Sequence, residues 1–443
     1  MGLLLAACTT DAPTPSSSPS PATAATPTAS ATSPPASPSI EPAPGSDSAV
    51  YEPNPGAIVV AIDPGHGGCL DWGVPDPSER GVQLAEKTLT LAIAERLRDR
   101  LEADGITVLM IREEDVALAG DDYPDLGCNG PPWRDVDGDG QAGFEETGRI
   151  RTRDELQARI DLANLARADA FVSIHINSLT QDGVSFEIAA TQTFYDDESP
   201  WGAEASEVLA TGLQDGVVAA LDPIATYDRQ DRGTDAVAFF AISREWRDSD
   251  TCETPGDTWC KPHRALAMPG ALAEVGSINL RQEHDLLATA EGQEAVANGL
   301  FEGLVDFFAT RPLAGRIGLE GDVPGAAPAV VDGLGPPFWA APAPDGTIRL
   351  RLTNTGIADW PPGGELVAGW EQTELPYLAA APSALEPLDV EVPRLAPGES
   401  VLVEVALADS PPGRSVAWLA LTIGNASLTD LGSPALQLSS GVD

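Results

Sequence analysis

The chain has 443 residues, more than one core usually supports, so two folded domains plus unstructured sequence are expected. Sixty-eight acidic residues against 25 basic ones set the net charge at −43, and lysine occurs only at Lys87 and Lys261. Such a field repels nucleic acid and anionic membrane surfaces and disfavours binding driven by phosphate contacts, while it favours solubility and cations.

At the start stands "LLLAAC", Leu3 to Cys8, three leucines and Ala-Ala-Cys. It resembles the lipobox of bacterial lipoproteins, in which the cysteine takes a lipid. Only seven residues precede Cys8 and none is basic, so either the true start lies upstream or the match is by chance. The Pro/Ser/Thr linker that follows, as a tether would require, favours a truncated lipoprotein signal at residues 1–8, with membrane attachment through Cys8. Residues 9–48 are almost entirely Pro, Ser, Thr and Ala with scattered acids. They cannot bury enough apolar surface to offset the entropy of ordering, so 9–56 is expected to be a disordered linker. The other four cysteines, Cys69, Cys128, Cys252 and Cys260, suggest two disulfides in an exported chain. Cys252 and Cys260 close a short loop and would pair locally, leaving Cys69 with Cys128. A zinc knuckle is the alternative, although no Cys-x-x-Cys spacing exists.

The first folded element is a buried strand at 57–62. It runs into "DPGHGG", where proline and glycines stop it and present His66 at its end. A helix with an apolar stripe at Leu89, Ile93, Leu97 and Leu101 follows and closes at Gly105. Next come a strand at "ITVLMIR", a helix through "RDELQARIDLANLARA" and a strand at "AFVSIHI". A helix near 201–220, a strand at "GALAEVG" and a last helix from about 291 to 309 complete the series. Alternation of this kind predicts an α/β sandwich with a mainly parallel sheet over 57–312. From about 315 to 443 helical periodicity gives way to short alternating runs such as "TIRLRLTNTG" and "SVLVEVAL", expected to form an all-β sandwich. These runs resemble immunoglobulin-like or fibronectin-like accessory domains of bacterial surface proteins, which implies a surface-protein or wall partner.

An acidic segment of about 115–153 interrupts the α/β pattern. Within it "DVDGDGQAGFEE" fits the calcium-loop pattern, with Asp135, Asp137, Asp139, the carbonyl of Gln141 and a bidentate Glu146 as oxygen donors around a turn at Gly140. Pro131 and Pro132 forbid an ordinary entering helix, so a single calcium loop, or else a solvated acidic loop, is expected.

Chemistry concentrates at strand ends. His66 and His175 each close an apolar strand and Glu86 opens the first helix, so the topology of an open α/β sheet brings all three to one crevice. Two imidazoles and a carboxylate suit a catalytic zinc with one position left for water. Glu274, in "ALAEVGSIN", ends a further apolar strand at the same edge. It is the candidate general base and acid, unless an arginine pairs with it. His263 and His284 sit at no strand end and are expected at the surface.

"IVVAIDPGHGG", "LAEKTLTLAIAERL", "TVLMIREED", "LQARIDLANLARADAFVSIHINS" and "ALAEVGSIN" resemble, in order and character, the zinc-dependent N-acetylmuramoyl-L-alanine amidases called amidase family 3. The likeness covers roughly 57–310. It implies zinc ligands at His66, Glu86 and His175, Glu274 as the catalytic carboxylate, and peptidoglycan as substrate. Arg232 and Gly233 match a family turn near the cleft, and Asn177 could contact substrate. A zinc peptidase acting on the stem peptide and a calcium-dependent, non-catalytic wall-adhesion protein are the rival readings.

Overall fold

A computed structural model describes residues 58–68, 71–74, 81–119, 135–136, 152–181, 184–243, 264–321, 347–373 and 381–440. The expected lipid site, linker and disulfide cysteines lie outside these residues, as do His263 and the calcium positions Asp137, Asp139, Gln141 and Glu146.

Strand β1 (Val59–Pro64) is buried along its whole length. Helix α1 (Glu86–Ala103) turns its predicted stripe of Leu89, Ile93, Leu97 and Leu101 into the core. Gly105, at a φ of 83° open to glycine, returns the chain to β2 (Thr107–Met110). Helix α2 (Arg153–Ala166), β3 (Ala170–Asn177), β4 (Ala189–Tyr195), α3 (Ala203–Leu221), β5 (Arg229–Ala236) and β6 (Gly270–Ser277) follow. Helices α4 (Arg281–Leu287) and α5 (Ala290–Ala309) end the α/β part.

The six strands form one mixed sheet in the order β2-β1-β3-β6-β4-β5. The first four are mutually parallel. β4 runs antiparallel to β6, and β5 lies parallel to β4. The sequence reading omitted β4 and β5. "AATQTFY" carries few large apolar side chains, and "RQDRGTDA" forms a partly exposed edge strand. On one face of the sheet Ile62, Ile174 and Val275 pack against α1, α3 and α5; on the other, Val59, Phe171 and Leu272 pack with Ile160 of α2. Helices α3 and α5 approach so closely that a Cβ at Gly212, Gly216, Gly299 or Gly303 would run into the facing backbone.

Two antiparallel sheets follow. One has the order β10-β8-β7, built from β7 (Gly315–Leu319), β8 (Thr347–Asn354) and β10 (Ser400–Ala406). In the other, β9 (Glu365–Gln372) and β12 (Leu436–Ser440) flank β11 (Ser415–Ile423). Leu350 and Leu352 of the first sheet share a core with Leu366, Leu419 and Leu421 of the second, and Trp360 is buried among them. This β layer pair rests on the α/β part where the parallel strands begin. The Trp201 and Trp418 rings stack at 5.0 Å. The Asp169 carboxylate accepts from Arg316 at 2.9 Å and from Val59 N, the first residue of β1, at 2.8 Å.

Candidate metal centre and active site

The turn after β1 is held by buried cations that neutralise its carbonyl dipoles. Arg159 of α2 donates to Pro64 O at 2.9 Å and His66 O at 2.7 Å, and Arg112 donates to Pro64 O at 2.9 Å and Gly65 O at 3.0 Å. Lys87 reaches Gly68 O at 2.5 Å and the Asp115 carboxylate at 2.7 Å, beneath the Trp72 ring. So restrained, His66 keeps a φ of 62°, a left-handed conformation that non-glycine residues seldom adopt. Two glycines clear the space: a Cβ at Gly65 would meet the His175 ring, and one at Gly73 would meet Glu86 and His66.

His66, Glu86 and His175 come together as the strand topology requires, one donor atom from each lying within 4.8 Å of the others. Glu86 Oε1 stands 3.2 Å from both His66 Nε2 and His175 Nδ1. Donors about 2.0–2.2 Å from a tetrahedral zinc would be spaced by about 3.4 Å, so the set fits such an ion. His66 Nδ1 lies 2.7 Å from the Asp71 carboxylate, which fixes the ring and leaves Nε2 for a metal. Glu86 is oriented by the backbone N–H groups of Ile176 at 2.9 Å and Val74 at 3.0 Å. Burial alone would lower the His66 pKa, but the Glu86 and Asp71 carboxylates raise it well above the ordinary imidazole value. The same attraction, against burial, holds Glu86 far below the usual carboxylate range.

Glu274 occupies the next strand, in register with His175. Its Oε2 is buried and has no hydrogen-bond partner among the described residues. Burial first, and then the negative charge of Glu86, push its pKa well above the ordinary carboxylate value, while His66 opposes them. The arginine pairing considered from sequence is therefore not made among these residues. An unpaired, desolvated carboxyl beside a metal-ligand set is poised to exchange protons.

The other sequence candidates are not members of this donor cluster. Asn177 is buried past a register shift in β3, and its carbonyl accepts from Ile278 N at 3.0 Å. Arg232 lies on β5, its Nε donating to Gln192 Oε1 at 2.9 Å. Asp135 is partly buried; its neighbour Val136 is clamped by the Asp154 carboxylate at 2.6 Å and by Arg264 at 2.8 Å. His284 is not a surface residue: it is fully buried in α4, its Nε2 2.7 Å from Leu84 O, because α4 packs against the turn that leads into α1. Sequence reasoning overlooked Asp71, Lys87, Arg112 and Arg159. The one available signal was Lys87 itself, one of two lysines in a chain otherwise almost devoid of them.

Comparison with known proteins gives a family match. Residues 60–306 match the family model described as N-acetylmuramoyl-L-alanine amidase. A germination-specific N-acetylmuramoyl-L-alanine amidase of Bacillus subtilis is 26% identical over 251 residues, 56% of this chain and 79% of that protein. A sporulation-specific N-acetylmuramoyl-L-alanine amidase of the same organism is 27% identical over 253 residues, covering 57% and 68%. Among solved structures, the CwlD amidase of Clostridioides difficile in complex with the GerS lipoprotein is 20% identical, covers 57% of this chain and 99% of its own, and has a TM-score of 0.39. With more than half of its length inside the matched family, the chain belongs to the N-acetylmuramoyl-L-alanine amidases.

Proposed function

We propose that the chain is an exported, zinc-dependent hydrolase that cleaves the amide between N-acetylmuramic acid and L-alanine in peptidoglycan. The observation that carries this reading is the unpartnered Glu274 oxygen beside the three clustered donors His66, Glu86 and His175. His66, Glu86 and His175 would hold the zinc. The chemistry it supplies when bound is polarisation of the scissile carbonyl and acidification of water. Glu274 accepts the proton of the attacking water and delivers it to the departing amine nitrogen, and its raised pKa suits both halves of that exchange. Asp71 keeps the His66 ring oriented, and Arg112, Arg159 and Lys87 keep its turn from relaxing.

Digestion of purified wall, with and without chelator, tests the reading. New L-alanine amino termini that appear only in the metal-loaded reaction support it. New termini within the stem peptide would make the protein a peptidase, and an absence of new termini would leave the wall-adhesion reading. Structural zinc sites normally close with four protein ligands, and three cluster here among the described residues, which favours catalysis. Two assignments rest on sequence alone. Equal melting curves with and without millimolar calcium would remove calcium from Asp135, Asp137, Asp139, Gln141 and Glu146. Failure of Cys8 to take up a radiolabelled fatty acid would remove the lipid anchor. No helix among the described residues is long and apolar enough to cross a membrane. An immunoglobulin-like or fibronectin-like role for the β layers, docking to a wall or surface partner, belongs to the same proposal.

A further inference from the structure

The catalytic edge continues across the sheet beyond Glu274. His175 of β3 is in register with Glu274 of β6, and Glu274 is in register with Gln192 of β4. Residues directly opposite on neighbouring strands project to the same face, so these three side chains form a row. Arg232 of β5 extends it, because its guanidinium bonds to Gln192. All four residues are partly exposed, whereas Ile174, Ile176, Ala273, Val275, Thr191 and Thr193, which alternate with them along the strands, are buried. The row is thus a polar strip, open to solvent, across four adjacent strands.

Arg232 is brought to the strip by a built irregularity. The pairing of β4 with β5 shifts register between Thr191 and Thr193, so that Arg232 and Gly233 together oppose Gln192. Gly233 takes a φ of 66°, and the Asp231 carboxylate caps its N–H at 2.8 Å. Buried Gln214 of α3 holds Asp231 at 2.6 Å while also binding Thr191 O and Thr193 Oγ1. Bulges of this kind re-aim a side chain, and this one is braced from the helical face of the sheet. Arg229, three residues earlier on the same strand, is neutralised by Glu283 at 2.7 Å and Asp222 at 2.8 Å. Arg232 instead bonds only a neutral amide among the described residues, in a chain with 68 acidic side chains.

We infer that Arg232 is a specificity-determining residue that binds a free carboxylate on the stem peptide, close to the scissile amide on its peptide side. This rests on the amidase reading of the site. Two strand spacings of about 4.8 Å separate the Glu274 and Arg232 backbones, and an extended peptide advances about 3.3 Å per residue. If the peptide leaves the scissile amide along this strip, a carboxylate on its second residue falls within reach of the guanidinium held over Gln192. The planar fork favours a carboxylate over an uncharged carboxamide at that position.

The test uses the zinc-loaded full chain and two N-acetylmuramoyl peptides, identical except that the α-carboxyl of the second residue is free or amidated. The unaltered protein should favour the acid by roughly ten- to a hundredfold in kcat/KM, expressed mainly in KM. Calorimetry with the released peptides should show the same preference in affinity. Arg232→Gln should bring both ratios close to one and Arg232→Lys should leave an intermediate preference, while Arg281→Gln, at an exposed arginine, should retain the full ratio. Melting curves establish that each variant is folded. A ratio near one for the unaltered protein, or a full ratio surviving in both Arg232 variants, overturns the assignment. If the unaltered protein turns over neither compound, the amidase reading itself fails and the assignment falls with it.

Discussion

As the proposed proton carrier, Glu274 would hold a proton and release it within one turnover, which a carboxylate tied to an arginine would do poorly. Glu274→Gln keeps the shape of the side chain but cannot take the proton. It should lower turnover by roughly 10²–10⁴-fold with zinc content and melting temperature preserved, as metal analysis alongside rates will show. His66→Ala and His175→Ala should lose both zinc and activity. A second residue-scale expectation concerns acid. Burial pushes the Asp63 carboxyl up, but its pair with Arg159 at 2.5 Å and the Ser173 hydroxyl at 2.7 Å outweigh this and hold it below the ordinary value. That stabilisation is complete above the unfolded aspartate pKa of about 3.9 and disappears as pH falls through the lower folded value. Asp63→Asn should cost about 3–5 kcal/mol near neutrality and flatten the acid limb of urea midpoints measured from pH 2.5 to 7. That His66, Glu86, His175 and Glu274 come to one edge of the sheet was legible in the sequence, because apolar strands and a helix start announce where such side chains emerge. Asp71 and Arg112 were not, since their importance arises from contacts with a turn whose path no local pattern reveals.

Helices α3 and α5 reverse a familiar preference. Alanine normally favours a helix interior over glycine by about 1 kcal/mol. Gly216 and Gly299, however, face one another so closely that a methyl group on either would strike the partner's carbonyl oxygen. Gly216→Ala should therefore destabilise the fold, by about 1–3 kcal/mol if the overpacking is only partly relieved, and chemical denaturation will read the sign directly. Both helices could be read from their periodicity, but their separation could not, because glycine leaves no apolar mark in a sequence. The same limitation concealed β4 and β5. Strands made of small and polar residues resemble loops until their neighbours in the sheet are known. His284 was misjudged for a related reason: a polar side chain on a short helix looks exposed unless the surface that α4 covers is visible.

Across the whole molecule, the β layers are fastened to the α/β part through Trp201 on Trp418 and through Asp169, which ties Arg316 to the start of β1. Trp418→Ala should cost about 3–5 kcal/mol. If the two parts unfold as a unit, calorimetry will show one transition displaced to lower temperature, whereas two separated transitions would mean that the tryptophan contact does not couple them. Asp169 and Val59 mark the beginnings of parallel strands, while His66 follows the end of β1 and His175 and Glu274 lie in the C-terminal halves of theirs. Among the described residues the β layers therefore stand where the parallel strands begin, and the His66, Glu86 and His175 cluster stands toward where they end. A change at the β-layer contact is therefore a strand's length, roughly 20 Å over the six residues of β1, away from the donor cluster.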